Sequence, residues 1–88
     1  ELKHQFFKNS IFYKAARIIT DSKYCKICEL SNKLNYSISY CYKLISTINN
    51  LFDDISLEIQ FNIKKNTIYI EGELTDIILF RYFLYIIS

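Results

Sequence analysis

The chain is 88 residues long, 51% hydrophobic and 17% aromatic, which supplies apolar material for one core and too little length for two. Its net charge of +2 would not by itself single out a nucleic-acid binder. Catalysis finds no support: His4 stands alone near one end, no glycine-rich phosphate loop exists, and Asp53, Asp54, Glu71 and Glu73 flank a hairpin where turn and solvation roles suffice.

One Gly and no Pro leave turns to be marked by Asn and Asp, which reach positive φ more easily than other side chains. From Lys3 to Thr20, Phe7, Ile11, Ala15 and Ile18 fall at helical spacing, widened by Phe6, Phe12, Ala16 and Ile19. Asp21 to Tyr24 is a polar break. A short second helix follows, with Ile27, Leu30 and Leu34 inward and Lys26, Glu29 and Lys33 outward. Asn35 and Tyr36 form a turn, and Ser37 stands where an N-cap belongs.

The third helix is expected from about Ile38 to Phe52, with Cys41, Leu44, Ile45, Ile48 and either Leu51 or Phe52 facing the core. The spacing of small Ser31, turn-forming Asn35 and the anchors Cys41 and Leu44 is that of a helix-turn-helix, in which the third helix reads DNA. Beyond Asp54 the period becomes two: Leu57, Ile59, Phe61 and Ile63 alternate with Glu58, Gln60 and Asn62, and Ile68 and Ile70 repeat this around Tyr69. Lys64, Lys65 and Asn66 would join the two strands. The expected fold is therefore mostly α with a small β-hairpin, a winged helix-turn-helix of three helices, a two-stranded wing and a C-terminal helix.

Residues 77–87 are apolar nearly all round apart from Arg81 and are too short to cross a bilayer, which takes about 18–20 residues. Such a helix should pack partly on the first helix and partly on a following domain or second subunit. The chain, starting at Glu1 without Met, is expected to be a single domain, residues 1–88, taken from a longer regulator. Three cysteines with no signal peptide in view imply reduced thiols in a cytoplasm. Cys25 and Cys28 form a CxxC without a second ligand pair, so no metal and no cofactor is expected. Cys28 is read as a small core residue and Cys25 as partly exposed.

Charge is segregated. Residues 1–50 hold eight basic and three acidic side chains, whereas residues 51–88 hold three basic and six acidic. The third helix has no acid between Ser37 and Phe52. Phosphate attraction would come from this helical half plus the Lys64-Lys65 pair.

Tyr24 through Ile45, with its short helix, turn, Ser cap and Tyr-Lys pair, resembles the DNA-binding domain of Mga-type regulators, the virulence and sugar-linked transcription regulators of low-GC Gram-positive bacteria. The likeness continues through Ile48-Asn49 at the helix end and through TIYIEGE after the hairpin. The Ile-Arg pair that the family carries after this glycine is here Ile77-Ile78, with Arg81 one turn on. The resemblance implies a transcription regulator whose partner is double-stranded DNA and which forms homodimers through segments beyond these residues.

On this reading the DNA-binding residues are Ser37, Ser39, Tyr40, Tyr42, Lys43, Ser46 and Thr47 on the third helix and Lys64 and Lys65 on the wing. The same side chains also admit plain roles. Tyr40 and Tyr42 could cover core edges, and Lys64-Lys65 could be a solvated tip that discourages edge pairing. The rival function is a protein-interaction or dimerisation module acting through the apolar 77–87 helix.

Overall fold

The computed structural model describes residues 10–22 and 24–87. Helix α1 runs Ile11–Asp21. It starts at Ile11 and does not run through Ser10 as the apolar period implied, because Ser10 is extended (φ −92°, ψ 161°) and its hydroxyl accepts the Tyr13 amide at 3.3 Å, capping the helix there. Lys3, Phe6 and Phe7 lie outside the described residues, as does His4. Ala15, Ala16 and Ile19 are the buried face of α1, with Ile11, Phe12 and Ile18 half-buried beside them.

The polar break leads into a strand that has no counterpart in the sequence reading. β1, Cys25–Lys26, pairs antiparallel with a later strand, β3 (Thr67–Gly72), and helix α2 (Ile27–Leu34) starts directly from β1. This reverses the expected cysteine environments. Cys25 sits opposite Ile68 and is buried, while Cys28 falls on the outer side of α2 and is exposed. Burial pushes the Cys25 and Cys41 thiols up from their ordinary pKa, which keeps both protonated at neutral pH.

The turn after α2 is built as its residue types demand. Asn35 is left-handed (φ 63°, ψ 41°), and the Ser31 carbonyl accepts both the Asn35 and Tyr36 amides, at 2.8 and 3.2 Å. The Ser31 hydroxyl donates to the Tyr36 carbonyl, so this residue fastens the turn as well as being small. Helix α3, Ile38–Asp54, follows at once. Ser37 is its N-cap, accepting the Tyr40 amide at 3.1 Å, and Cys41, Leu44, Ile45, Ile48 and Phe52 are buried. Phe52 takes the last inward position; Leu51 is exposed.

α3 closes with a left-handed residue that is not glycine. Ser56 (φ 61°) lets the Leu57 amide reach the Phe52 carbonyl at 2.9 Å and its own amide reach Asp53 at 3.1 Å, a Schellman arrangement. Strands β2 (Ile59–Lys64) and β3 (Thr67–Gly72) then form the wing. Their tip is a two-residue turn with both central residues at positive φ, Lys65 at 51° and Asn66 at 65°, the twist that matches a hairpin. The sheet has three strands in the order β1-β3-β2, one more than the expected pair.

Ile59 and Phe61 of β2 and Ile68 of β3 face the core. Gly72, opposite Ile59, adopts φ +143°, and a Cβ there would run into the Glu58 carbonyl oxygen and lie 2.7 Å from the Ile59 Cα. This is the one place where the chain requires glycine for both space and conformation.

Helix α4, Leu74–Ile87, packs on β3 and α1. Its first turn is tied to the start of β2: the Glu58 amide donates to Asp76 Oδ2 at 2.8 Å, and the Glu73 amide to the Glu58 carbonyl at 2.8 Å. Phe52, Phe61 and Phe80 meet edge-to-face, with centroids 4.9 Å apart for Phe52 and Phe80 and 5.5 Å for Phe52 and Phe61. One aromatic cluster thus joins α3, the wing and α4. Covering of α4 is one-sided, however: Phe80, Leu84 and Ile87 are buried while six other large apolar side chains are exposed. Among the described residues no helix is long and apolar enough to cross a membrane.

Candidate nucleic-acid interface

The candidate surface begins at the N-terminus of α3, where the unsatisfied amides of the first turn carry the positive end of the helix dipole and no acidic side chain offsets it. Ser39, Tyr40, Tyr42, Lys43, Ser46 and Thr47 are all exposed on α3, as the helical period requires once Cys41, Leu44 and Ile45 are turned inward. Ser37 is also exposed; its oxygen serves the helix as a cap, which leaves the hydroxyl proton for an outside acceptor.

Some of these groups are already engaged. The Thr47 hydroxyl donates to the Lys43 carbonyl at 3.0 Å, so its proton belongs to the helix. Tyr40 lies against Tyr36 with ring centroids 4.7 Å apart and remains 39% exposed. That contact orients Tyr40, and Tyr36 is a neighbour of the candidate face that the sequence pattern treated only as an apolar turn residue.

The wing is less uniformly basic than its sequence. Lys64 Nζ lies 3.2 Å from Glu71 Oε2, across the hairpin. Glu71 also accepts from Asn62, and these bonds, Asn62 first and Lys64 next, hold its carboxyl below the usual range. Lys65 is exposed at the turn and makes no ion pair with the described residues.

Register adds a residue that sequence reasoning placed elsewhere. Lys26 pairs with Thr67, and Thr67 pairs with Lys64, so the two lysines flank one threonine at the tip end of the sheet. The Ile27 amide donates to the Asn66 carbonyl at 2.9 Å, which pins the start of α2 to the hairpin turn. Lys26, Lys64 and Lys65 consequently share one end of the sheet. No local signal identifies Lys26, because its place depends on pairing with a strand some forty residues away in the chain.

The opposite end of the wing is acidic. Asp53, Glu58, Glu71 and Glu73 line a shallow groove around Gly72. A polyanion would be repelled there; Lys64 is drawn to Glu71 at the edge of this groove, so Lys26 and Lys65 carry the attraction at the tip.

A helix exposed along its outer face, held against a shorter helix by a left-handed turn and followed by a lysine-tipped hairpin, defines a winged helix-turn-helix, a DNA-binding class. Residues 1–85 match the family model of the Mga helix-turn-helix domain, and the chain belongs to that family of DNA-binding, transcription-regulating domains. No curated protein and no solved structure matches it at a significant level.

Proposed function

We propose that this domain reads double-stranded DNA with the N-terminal half of α3 in the major groove and the lysine end of the sheet on phosphate. The supporting observation is the outer face of α3, which is exposed from Ser37 to Thr47 and free of acidic side chains. Ser39, Tyr40 and Lys43 reach base edges or nearby phosphates, Ser37, Tyr42 and Ser46 donate to the DNA backbone, and Thr47 lies against it through its methyl group while its proton stays on the Lys43 carbonyl. Lys65 and Lys26 take phosphate directly; Lys64 joins them by exchanging Glu71 for a phosphate oxygen.

Ser and Tyr make few bidentate contacts to bases, and one lysine stands on the reading face, so base discrimination is modest and DNA shape supplies much of the preference. Binding falls steeply with salt.

An amide NMR titration with an AT-rich duplex at two salt concentrations tests this reading. Shifts should concentrate on residues 37–47, 64–66 and Lys26 and fade as salt rises. Lys43→Ala should weaken binding by about 1 kcal/mol with the circular dichroism spectrum unchanged, and Lys26→Ala should lower the salt slope by about 1. Unaltered affinity in a folded Lys43→Ala protein would remove that residue from the interface, and silence across 37–47 would remove the helix.

A further inference from the structure

The N-terminal end of α3 exposes apolar side chains that hydrogen-bonded recognition of DNA does not use. Residues 35–40 are all exposed, so the turn and the first turn of the helix stand clear of the core. Within that segment Tyr36, Ile38 and Tyr40 are 48, 44 and 39% exposed, and Tyr42 just beyond is 44% exposed. Ile38 is the first residue of the helix, directly after the Ser37 cap.

The helical period sorts these groups into two flanks. Ile38 and Tyr42 stand one turn apart on one side of Ser39, Lys43 and Ser46, and Tyr40 and Thr47 stand on the other side. Tyr36 packs on Tyr40 with ring centroids 4.7 Å apart and so widens the second flank. A polar strip therefore runs down the outer face of α3 between two apolar borders.

We infer that these borders select thymine: the C5 methyl groups of thymines in the major groove settle against Ile38 and Tyr42 on one side and against the Tyr36-Tyr40 pair on the other. The inference rests on the DNA-reading proposal above and names the base feature that this face distinguishes. Its first support is the chemistry of the strip. Bases are told apart best by the paired hydrogen bonds of Arg, Asn and Gln, and the outer face from Ile38 to Thr47 holds none of these. Serine and tyrosine hydroxyls donate or accept at several base edges alike, so hydrogen bonding by itself leaves the face nearly indifferent to sequence. The thymine methyl is the apolar feature of the major groove, and apolar side chains are what border the strip.

The second support is position. A helix with its side chains is about 10–12 Å across and fills a major groove about 12 Å wide. The methyl projects toward the backbone of its own strand, so the flanks of the helix reach it and the central strip does not. Charge favours the same occupant. Lys43 lies between the two flanks with no acidic side chain near it on the helix, which suits a polyanion, whereas an apolar protein surface would bury its ammonium group without a partner.

Uracil tests the inference, because it keeps the hydrogen-bonding groups of thymine and lacks only the methyl. Fluorescence anisotropy would compare short alternating duplexes of dA with dT and of dA with dU. The thymine duplex should bind about fourfold more tightly for each methyl engaged, the worth of one buried carbon group. That ratio should hold as salt rises although both affinities fall, since apolar contacts are not screened. Ile38→Ala and Tyr40→Ala should each lower the ratio with unchanged circular dichroism, and the double variant should bring it close to one. Equal affinity of the wild-type domain for the two duplexes would overturn the inference and leave the DNA reading standing. A wild-type ratio persisting in the folded double variant would assign the preference to DNA stiffness and overturn it as well. Absence of binding to either duplex at low salt would overturn the DNA reading itself, and this inference with it.

Discussion

The two halves of α3 are held in different ways. The N-terminal half is fixed by neighbours in sequence: Asn35 and Ser31 shape the turn, Ser37 caps the helix, and the outer side chains face solvent. The C-terminal half is fixed by distant parts of the chain. Asn49 brackets Phe61, its Oδ1 accepting the Phe61 amide at 2.8 Å and its Nδ2 donating to the Phe61 carbonyl at 3.0 Å. β2 is an edge strand, and these two bonds satisfy backbone groups that no neighbouring strand reaches. Phe52 adds its contacts to Phe61 and Phe80 a turn further on. The domain thus ties the far end of α3 to the wing and α4 by side-chain hydrogen bonds and aromatic contacts, and holds the near end by local caps and by Cys41, Leu44 and Ile45 packed into the core.

Substitutions at the anchored end should be global in effect and those at the capped end local. Gly72→Ala is the most severe, since the new Cβ meets the backbone of Glu58 and Ile59 and φ +143° strains any side chain; a loss of about 4 kcal/mol in urea unfolding is expected. Asn49→Ala should cost about 2 kcal/mol by leaving the Phe61 amide and carbonyl without partners, and hydrogen exchange should show the Phe61 amide losing protection. If Asn49→Ala were neutral, the contrast between the two halves would collapse.

Ser37→Ala should cost about 1 kcal/mol, with raised amide exchange confined to the first turn of α3. Ser56→Gly should raise stability by about 0.5 kcal/mol in thermal unfolding, because glycine adopts the left-handed C-terminal position without side-chain strain.

Much of this architecture is legible in the chain because its signals are local. The positive-φ Asn35, the Ser37 cap and the inward set Cys41, Leu44, Ile45 and Ile48 follow from residue chemistry and the helical period. The alternation of Ile59 and Phe61 with Gln60 likewise marks β2. What escaped depends on pairing at long range. β1 is two residues long, too short for any period to register, and its formation buried Cys25, exposed Cys28 and moved Lys26 to the wing. Ser10 ended the continuity of the first helical pattern because a side-chain cap competes with helix propagation where only an apolar period was counted.

The sequence by itself determined which face of α3 is exposed and free of acid, since caps, periodicity and the absence of acid from Ser37 to Phe52 act within a few residues of one another. Tertiary structure alone decided which lysines share the wing tip, that Lys64 is paired with Glu71, that Asn49 seals the strand edge, and that one side of α4 remains uncovered. Local hydrogen bonds and rotational period are written in adjacent residues; register and burial depend on which surfaces the folded chain brings together.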